Sequence, residues 1–190
     1  ASSLSYSFRR ALTDANEPVE ALNSARDSAH TQAIRAQEVF ELFLTERTRQ
    51  APAVDVWATL LSSGKGFLLM GDAVDVFVEQ GYAAARAGAP ASTVASVASM
   101  AIADMIRLAE EIRGSKPLRV AEQRETSGEL RAAQLASLSE PEAVKSPAGL
   151  RSAVALVATA DWVAQLDVLL QELEAPVGQT LGRHAKPWWR

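Results

Sequence analysis

The sequence predicts an all-α protein, an elongated antiparallel bundle of about four to five helices. Aromatic residues make up only 6% of the 190 residues and alanine is abundant, a composition that favours helix. Apolar residues recur every three or four positions over long stretches, and no segment alternates apolar and polar residues for long. A chain of this length is expected to fold as one domain with a sizeable core. We place the bundle at residues 17–178, between a basic and aromatic segment at 1–16 and a basic, tryptophan-rich tail at 179–190.

The first predicted helix runs from about Glu17 to Thr48, with Pro18 in its first turn. One face of this helix carries an apolar stripe at helical spacing, which we expect to pack on the rest of the bundle. The stripe consists of Leu22, Ala25, Ala29, Ala33, Ala36, Phe40 and Phe43.

The second predicted helix, from about Pro52 to Arg86, contains the unusual stretch LLSSGKGFLLMGDAVDVF at residues 60–77. Its GKG triplet does not have phosphate-loop spacing, because Thr59 stands where that loop requires glycine and Gly66 follows Lys65. The charges of Lys65 and of two aspartates argue against a membrane span. The apolar phase continues unbroken through the glycines, which favours one continuous helix. The alternative is a kink or break at Ser62-Ser63-Gly64.

Interior glycines destabilise a helix by roughly 1 kcal/mol each relative to alanine, so their positions need a reason. Gly64 and Gly71 lie seven residues apart on the apolar stripe. We predict that they form a helix-packing seam, where the backbone approaches the alanine stripe of the first helix.

Three further helices follow. They are predicted at about Ala91–Arg113, Gly128–Leu138 and Pro147–Glu174, and Pro176 and Gly178 are expected to end the last one. The polar segments 114–128 and 139–149 are predicted to be loops.

The sequence predicts no catalytic residue, no cofactor and no metal site, and therefore no enzyme. The chain has no cysteine, which excludes disulfides, thiol catalysis and cysteine-ligated zinc. Asp27 and His30 are one helical turn apart, but metal-binding bundles need a second such pair and further carboxylates. Five aspartates lie inside apolar runs, and we expect most of them at helix edges or paired with arginines. They are Asp72, Asp75, Asp104, Asp161 and Asp167, of which Asp75 is in phase with the core.

Charge is unevenly distributed along the chain. The segment from Asp14 to Glu174 holds 14 basic and 23 acidic residues, a net charge of −9, which argues against nucleic acid as a partner. No run of 18 uninterrupted apolar residues occurs, so we expect no membrane span within the chain. The basic and aromatic ends have the composition of a membrane–water interface. The candidate interface residues are Arg9, Arg10, Lys186, Trp188, Trp189 and Arg190.

Three segments together resemble the helical region of the FUSC-like family, the fusaric acid resistance and aromatic acid exporter proteins of bacteria. They are RAQEVFELFLTERTRQ at 35–50, LLSSGKGFLLMGDAVDVFVEQGYAAAR at 60–86 and TADWVAQLDVLLQELEAPV at 159–177. The resemblance implies a non-catalytic domain at the cytoplasmic face of the inner membrane. Its expected partners are the membrane spans of the same full-length protein, and its work would be oligomerisation, gating or regulation.

The alternative function is a helical sensor or regulator that binds a small molecule, such as an aromatic acid. An alanine-rich bundle can leave a pocket between its helices. The candidate pocket residues are Trp57, Phe67, Met70, Asp75, Phe77, Met105 and Trp162.

Overall fold

The computed structural model describes residues 2–12, 19–46, 54–82, 89–114, 126–139 and 145–184. Within these residues the chain is all-α, as predicted, and forms a bundle of six helices without a strand. The helices are α1 (Ser2–Leu12), α2 (Val19–Glu46), α3 (Val54–Glu79), α4 (Ala89–Gly114), α5 (Thr126–Ser139) and α6 (Pro147–His184). The prediction that α3 continues through Gly64 and Gly66 is confirmed.

The shortest helix, α1, lies in the middle of the bundle and contacts α2, α3, α4 and α6. Five of its eleven residues are buried: Leu4, Ser7, Phe8, Ala11 and Leu12. The first helix therefore belongs to the bundle, which corrects the predicted start of the bundle at residue 17 and the predicted four to five helices. The apolar spacing of α1 supplies the physical reason, because it gives this helix a full apolar face to bury.

Side-chain contacts fix the helix directions. Ser3 and Leu4 of α1 border the same cleft as Gly64 of α3, and Ser7 lies beside Gly71 further along α3, so α1 and α3 are parallel. Arg26 near the start of α2 meets Asp72 near the end of α3, which makes these two helices antiparallel. In the same way α5 runs antiparallel to α6, while α4 and α6 are parallel neighbours.

The core consists of small and branched side chains from α1, α3, α4, α5 and α6. Hydrophobic burial of this kind is the main stabilising term in a bundle. The largest fully buried side chains include Phe8, Val74, Val94, Val97, Val163, Leu166 and Val177. α2 differs from the other long helices, because Leu22 is its only buried hydrophobic residue among the described side chains.

α3 ends at Glu79, which corrects the predicted extension to Arg86. Gly81 has a φ of +83°, a left-handed conformation that stops the helix. Its N–H donates to the Val78 carbonyl at 2.9 Å, and the Tyr82 N–H donates to the Phe77 carbonyl at 3.2 Å. These are the two bonds of a Schellman cap. Residues 83–86 lie outside the described residues.

α6 continues to His184, which corrects the prediction that Pro176 and Gly178 end it. Proline removes one amide donor from a helix interior and normally breaks the helix. Here Leu173 and Val177, on either side of Pro176, are buried against Leu108 of α4, with Leu60 and Phe67 of α3 packed beside them. This packing offsets the local cost of the proline.

Two helical segments, Ala89–Arg113 and Pro147–Gly178, are long and apolar enough to cross a membrane by length and composition alone. The sequence predicts no span, because no run of 18 uninterrupted apolar residues occurs. A core helix passes the same test, and in this bundle both segments bury apolar faces against their neighbours.

Candidate functional site

A cleft of about 300 Å³ separates α2 from α3 and reaches down to α1 and α4. It is the candidate functional site, because it offers an apolar floor together with polar groups in its lining. The lining residues are Ser3, Leu4, Ala29, Gln32, Ala33, Ala36, Leu60, Leu61, Gly64, Lys65, Phe67, Leu68 and Met105.

The cleft exists because both of its walls carry small residues. Ala29, Ala33 and Ala36 on α2 line one wall of the cleft, and Gly64 on α3 lines the other, without the predicted close approach of the two backbones. The seam nevertheless stands open, since a Cβ atom added at Gly64 would meet no atom within 4 Å. Gly71 does not join this seam. An added Cβ there would lie 3.6 Å from Leu4 Cδ1 and 3.9 Å from Ser7 Oγ, so Gly71 packs on α1 instead.

The chemistry of the cleft suits a small amphipathic anion. Leu4, Phe67 and Met105 supply hydrophobic surface. The exposed Lys65 supplies a positive charge, and Gln32 supplies an amide that can donate or accept hydrogen bonds. Lys65 and Gln32 are not among the pocket residues predicted from the sequence. Their positions beside the small-residue stripes are the one feature of the sequence that indicates them.

The predicted pocket residues are distributed over several places. Phe67 and Met105 line the cleft, whereas the other five do not. Met70 and Asp75 are buried, and Trp57 is 37% exposed on the first turns of α3. Phe77 and Trp162 pack edge to face, with ring centroids 5.3 Å apart, and join α3 to α6.

A polar cluster connects α2 and α3 next to the cleft. Arg26 Nε lies 3.0 Å from Asp72 Oδ1, and His30 Nε2 lies 3.2 Å from Asp72 Oδ2. His30 therefore makes its contact between helices, with Asp72, although Asp27 lies one turn away on its own helix. In the described part of the chain, no group of three or more histidine and acidic side chains is arranged to hold a metal ion.

Four of the five aspartates in apolar runs have partners, as expected. Asp72 pairs with Arg26 as described, and Arg107 Nε lies 3.6 Å from Asp104 Oδ1. Asp161 accepts a hydrogen bond from Gln134, and Asp167 accepts one from Thr126. The partners of these last two are amide and hydroxyl groups rather than arginines, and Asp167 also accepts a hydrogen bond from Gln171 of α6.

Asp75 is the exception. It is 1% exposed, and neither carboxyl oxygen has a hydrogen-bond partner among the residues described. Burial raises the pKa of the Asp75 carboxyl above its ordinary value, against the lowering effects of the Ser7 hydroxyl and of Arg10 and Arg26. Ser7 gives its one hydroxyl proton to the Ser3 carbonyl, 3.2 Å away.

The structure describes two of the six candidate membrane-interface residues. Arg9 is exposed and Arg10 is half-buried on α1. Lys186, Trp188, Trp189 and Arg190 lie outside the described residues.

The fold and the cleft define a helical bundle with an open, mostly apolar groove. Comparison of the chain with protein-family models, with curated proteins and with solved structures finds no match.

Proposed function

We propose that this chain is a non-catalytic helical domain of a bacterial efflux-type membrane protein, with oligomerisation, gating or regulation as its work. The resemblance to FUSC-like exporters motivates the proposal. The observation that supports it best is the central position of α1, whose contacts with four other helices couple the start of the chain to the whole core. A membrane span joined to α1 would act directly on the bundle.

The complete coding sequence tests this proposal. We expect hydrophobic segments of about 20 residues directly next to this chain. A complete reading frame without such segments contradicts the proposal. Protease protection in inverted inner-membrane vesicles then tests the cytoplasmic location, because the bundle should be cleaved from the outside of those vesicles.

An activity assay of the full-length protein tests the coupling through α1. Leu4→Ala weakens the contact between α1 and α3, and Leu69→Ala removes the same atoms from a side chain that is 68% exposed. Efflux is compared between cells that contain equal amounts of each variant. It should change with Leu4→Ala and stay unchanged with Leu69→Ala. Equal efflux in both variants counts against a role for α1 in gating.

A second function, binding of a small molecule, is favoured by the cleft between α2 and α3. Its apolar floor and Lys65 suit an aromatic carboxylate. We expect benzoate or naphthoate to raise the melting temperature of the chain, because a ligand that binds only the folded state stabilises it. Lys65→Met should abolish the shift, whereas Lys145→Met, at a lysine that does not line the cleft, should preserve it. No shift, or equal shifts in both variants, contradicts binding at this site.

A further inference from the structure

The contact between α1 and α3 contains a buried ionisable group, the carboxyl of Asp75, to which none of the interactions described above assigns a role. Asp75 of α3 is 1% exposed and faces α1, and its oxygens have no hydrogen-bond partner among the described residues. A buried carboxylate in this position loses its hydration, and the neighbouring Ser7 hydroxyl, which favours the ionised form, already donates its proton to the Ser3 carbonyl. A neutral carboxylic acid loses far less on burial.

The charged groups around Asp75 come from three helices. Arg10 of α1 and Arg26 of α2 favour the ionised form, and Glu79 of α3 itself opposes it. Arg26 is already bound to Asp72. α6, the remaining neighbour of α3, contributes the Trp162 ring at this level, and its nearby Asp161 is bound to Gln134 of α5. These charges do not cancel the cost of burial, because burial is the largest influence on the pKa of Asp75.

We propose that protonation of Asp75 controls the docking of α1: the neutral carboxyl keeps α1 against α3, and ionisation weakens that contact. The position of Ser7 and Gly71 supports this. Both are buried in the same interface, so release of α1 would expose this side of the Asp75 carboxyl to water. The inference does not rest on the proposed function.

The sign of the pH dependence follows from linkage. The carboxyl titrates at a raised pKa when α1 is docked and near its ordinary value when α1 is released. Docking is therefore strongest below the ordinary pKa and weakens as the pH rises through the raised pKa. One proton can change the docking equilibrium by at most about tenfold per pH unit within this window.

Hydrogen–deuterium exchange of residues 1–190 tests the proposal, from about pH 4, near the ordinary carboxyl pKa, to about pH 8. Protection factors are corrected for the intrinsic pH dependence of exchange. In the wild type, the protection of α1 should fall with rising pH while α4 and α6 keep theirs. Asp75→Asn should make the protection of α1 independent of pH. Asp75→Leu, which is also unable to ionise, serves in case the asparagine variant does not fold.

Asp72→Asn is the matched control, one turn away on the same helix and paired with Arg26. It should retain the pH dependence of α1. The proposal is overturned by constant α1 protection in the wild type, or by the same pH dependence in Asp75→Asn. It is also overturned if all six helices lose protection together, because that pattern means global unfolding rather than release of α1.

Discussion

The Tyr82 ring stacks on the Phe77 ring, with centroids 4.5 Å apart, across the turn that ends α3. The two residues occupy the positions that make the hydrophobic contact of a Schellman cap, and Gly81 between them has a positive φ. The Phe77 ring therefore takes part in two contacts. It stacks on Tyr82 at the cap that ends α3, and it packs edge to face on Trp162 of α6.

Gly81→Ala should destabilise the chain by about 1 kcal/mol, because an L side chain is strained in the left-handed region. No atom lies within 4 Å of the added Cβ, so the cost arises from the backbone alone. Gly64→Ala is the matched control, since its Cβ also meets no atom but the residue lies inside a helix. It should stabilise by roughly 0.5–1 kcal/mol. Urea denaturation measures the change in the free energy of unfolding for both variants. A change of the same sign in both contradicts the left-handed conformation of Gly81.

Leu4→Ala should cost about 2–5 kcal/mol, as expected for deletion of a buried leucine. Leu4 is 3% exposed and belongs to the core cluster. Leu69→Ala, at an exposed position, should change the free energy of unfolding by less than about 0.5 kcal/mol. Equal small changes in both variants would mean that α1 is not docked as described.

Gly71→Leu should destabilise by about 1–3 kcal/mol through overpacking, since Leu4 and Ser7 already lie in contact range of the Cβ position. Gly71→Ala should be tolerated, because its Cβ would meet these atoms at ordinary van der Waals distances. Gly64→Leu provides the comparison at an open position and should lack the overpacking cost. The melting temperatures of the three variants decide whether Gly71 alone lies in a close interface.

Arg107→Met should destabilise by about 3 kcal/mol, the lower end for a broken buried pair, because it leaves the buried Glu111 without its cation while Arg107 itself is partly exposed. Arg107 Nη1 lies 3.1 Å from Glu111 Oε2, and Nη2 lies 3.5 Å from Glu174 Oε1, so the same residue joins α4 to α6. Adding Glu111→Gln to Arg107→Met should restore part of the loss.

Arg151→Met, at an exposed position on α6, is the control and should have little effect. Denaturant titration of the single and double variants forms a cycle. A double variant no more stable than Arg107→Met would show that burial of the Glu111 charge does not cause the loss.

The fold was predictable where local pattern and tertiary packing agree. The stripes that include Val94 and Val97 on α4, and Val163 and Leu166 on α6, are buried as their spacing indicates. α1 carries the same spacing in Leu4, Phe8 and Leu12, but the adjacent arginines directed the interpretation toward a membrane interface. Pro176 was misinterpreted because proline rules describe an isolated helix, whereas Val177 is held by residues from two other helices.

The candidate site was less predictable, because the residues that contact each other there are distant in sequence. His30 meets Asp72, 42 positions away, rather than Asp27. The cleft depends on the separation of α2 and α3, which apolar periodicity does not specify. Asp75 was identifiable from its phase on α3, although its position against α1 was not.

The central position of α1 also has a consequence for synthesis. Of the six described helices, α1 is synthesised before the others, yet one of the helices that it contacts, α6, is synthesised after them. At roughly 5–20 residues per second, α1 waits on the order of ten to thirty seconds for this neighbour. Only then can the apolar face of α1 complete its contacts in the core.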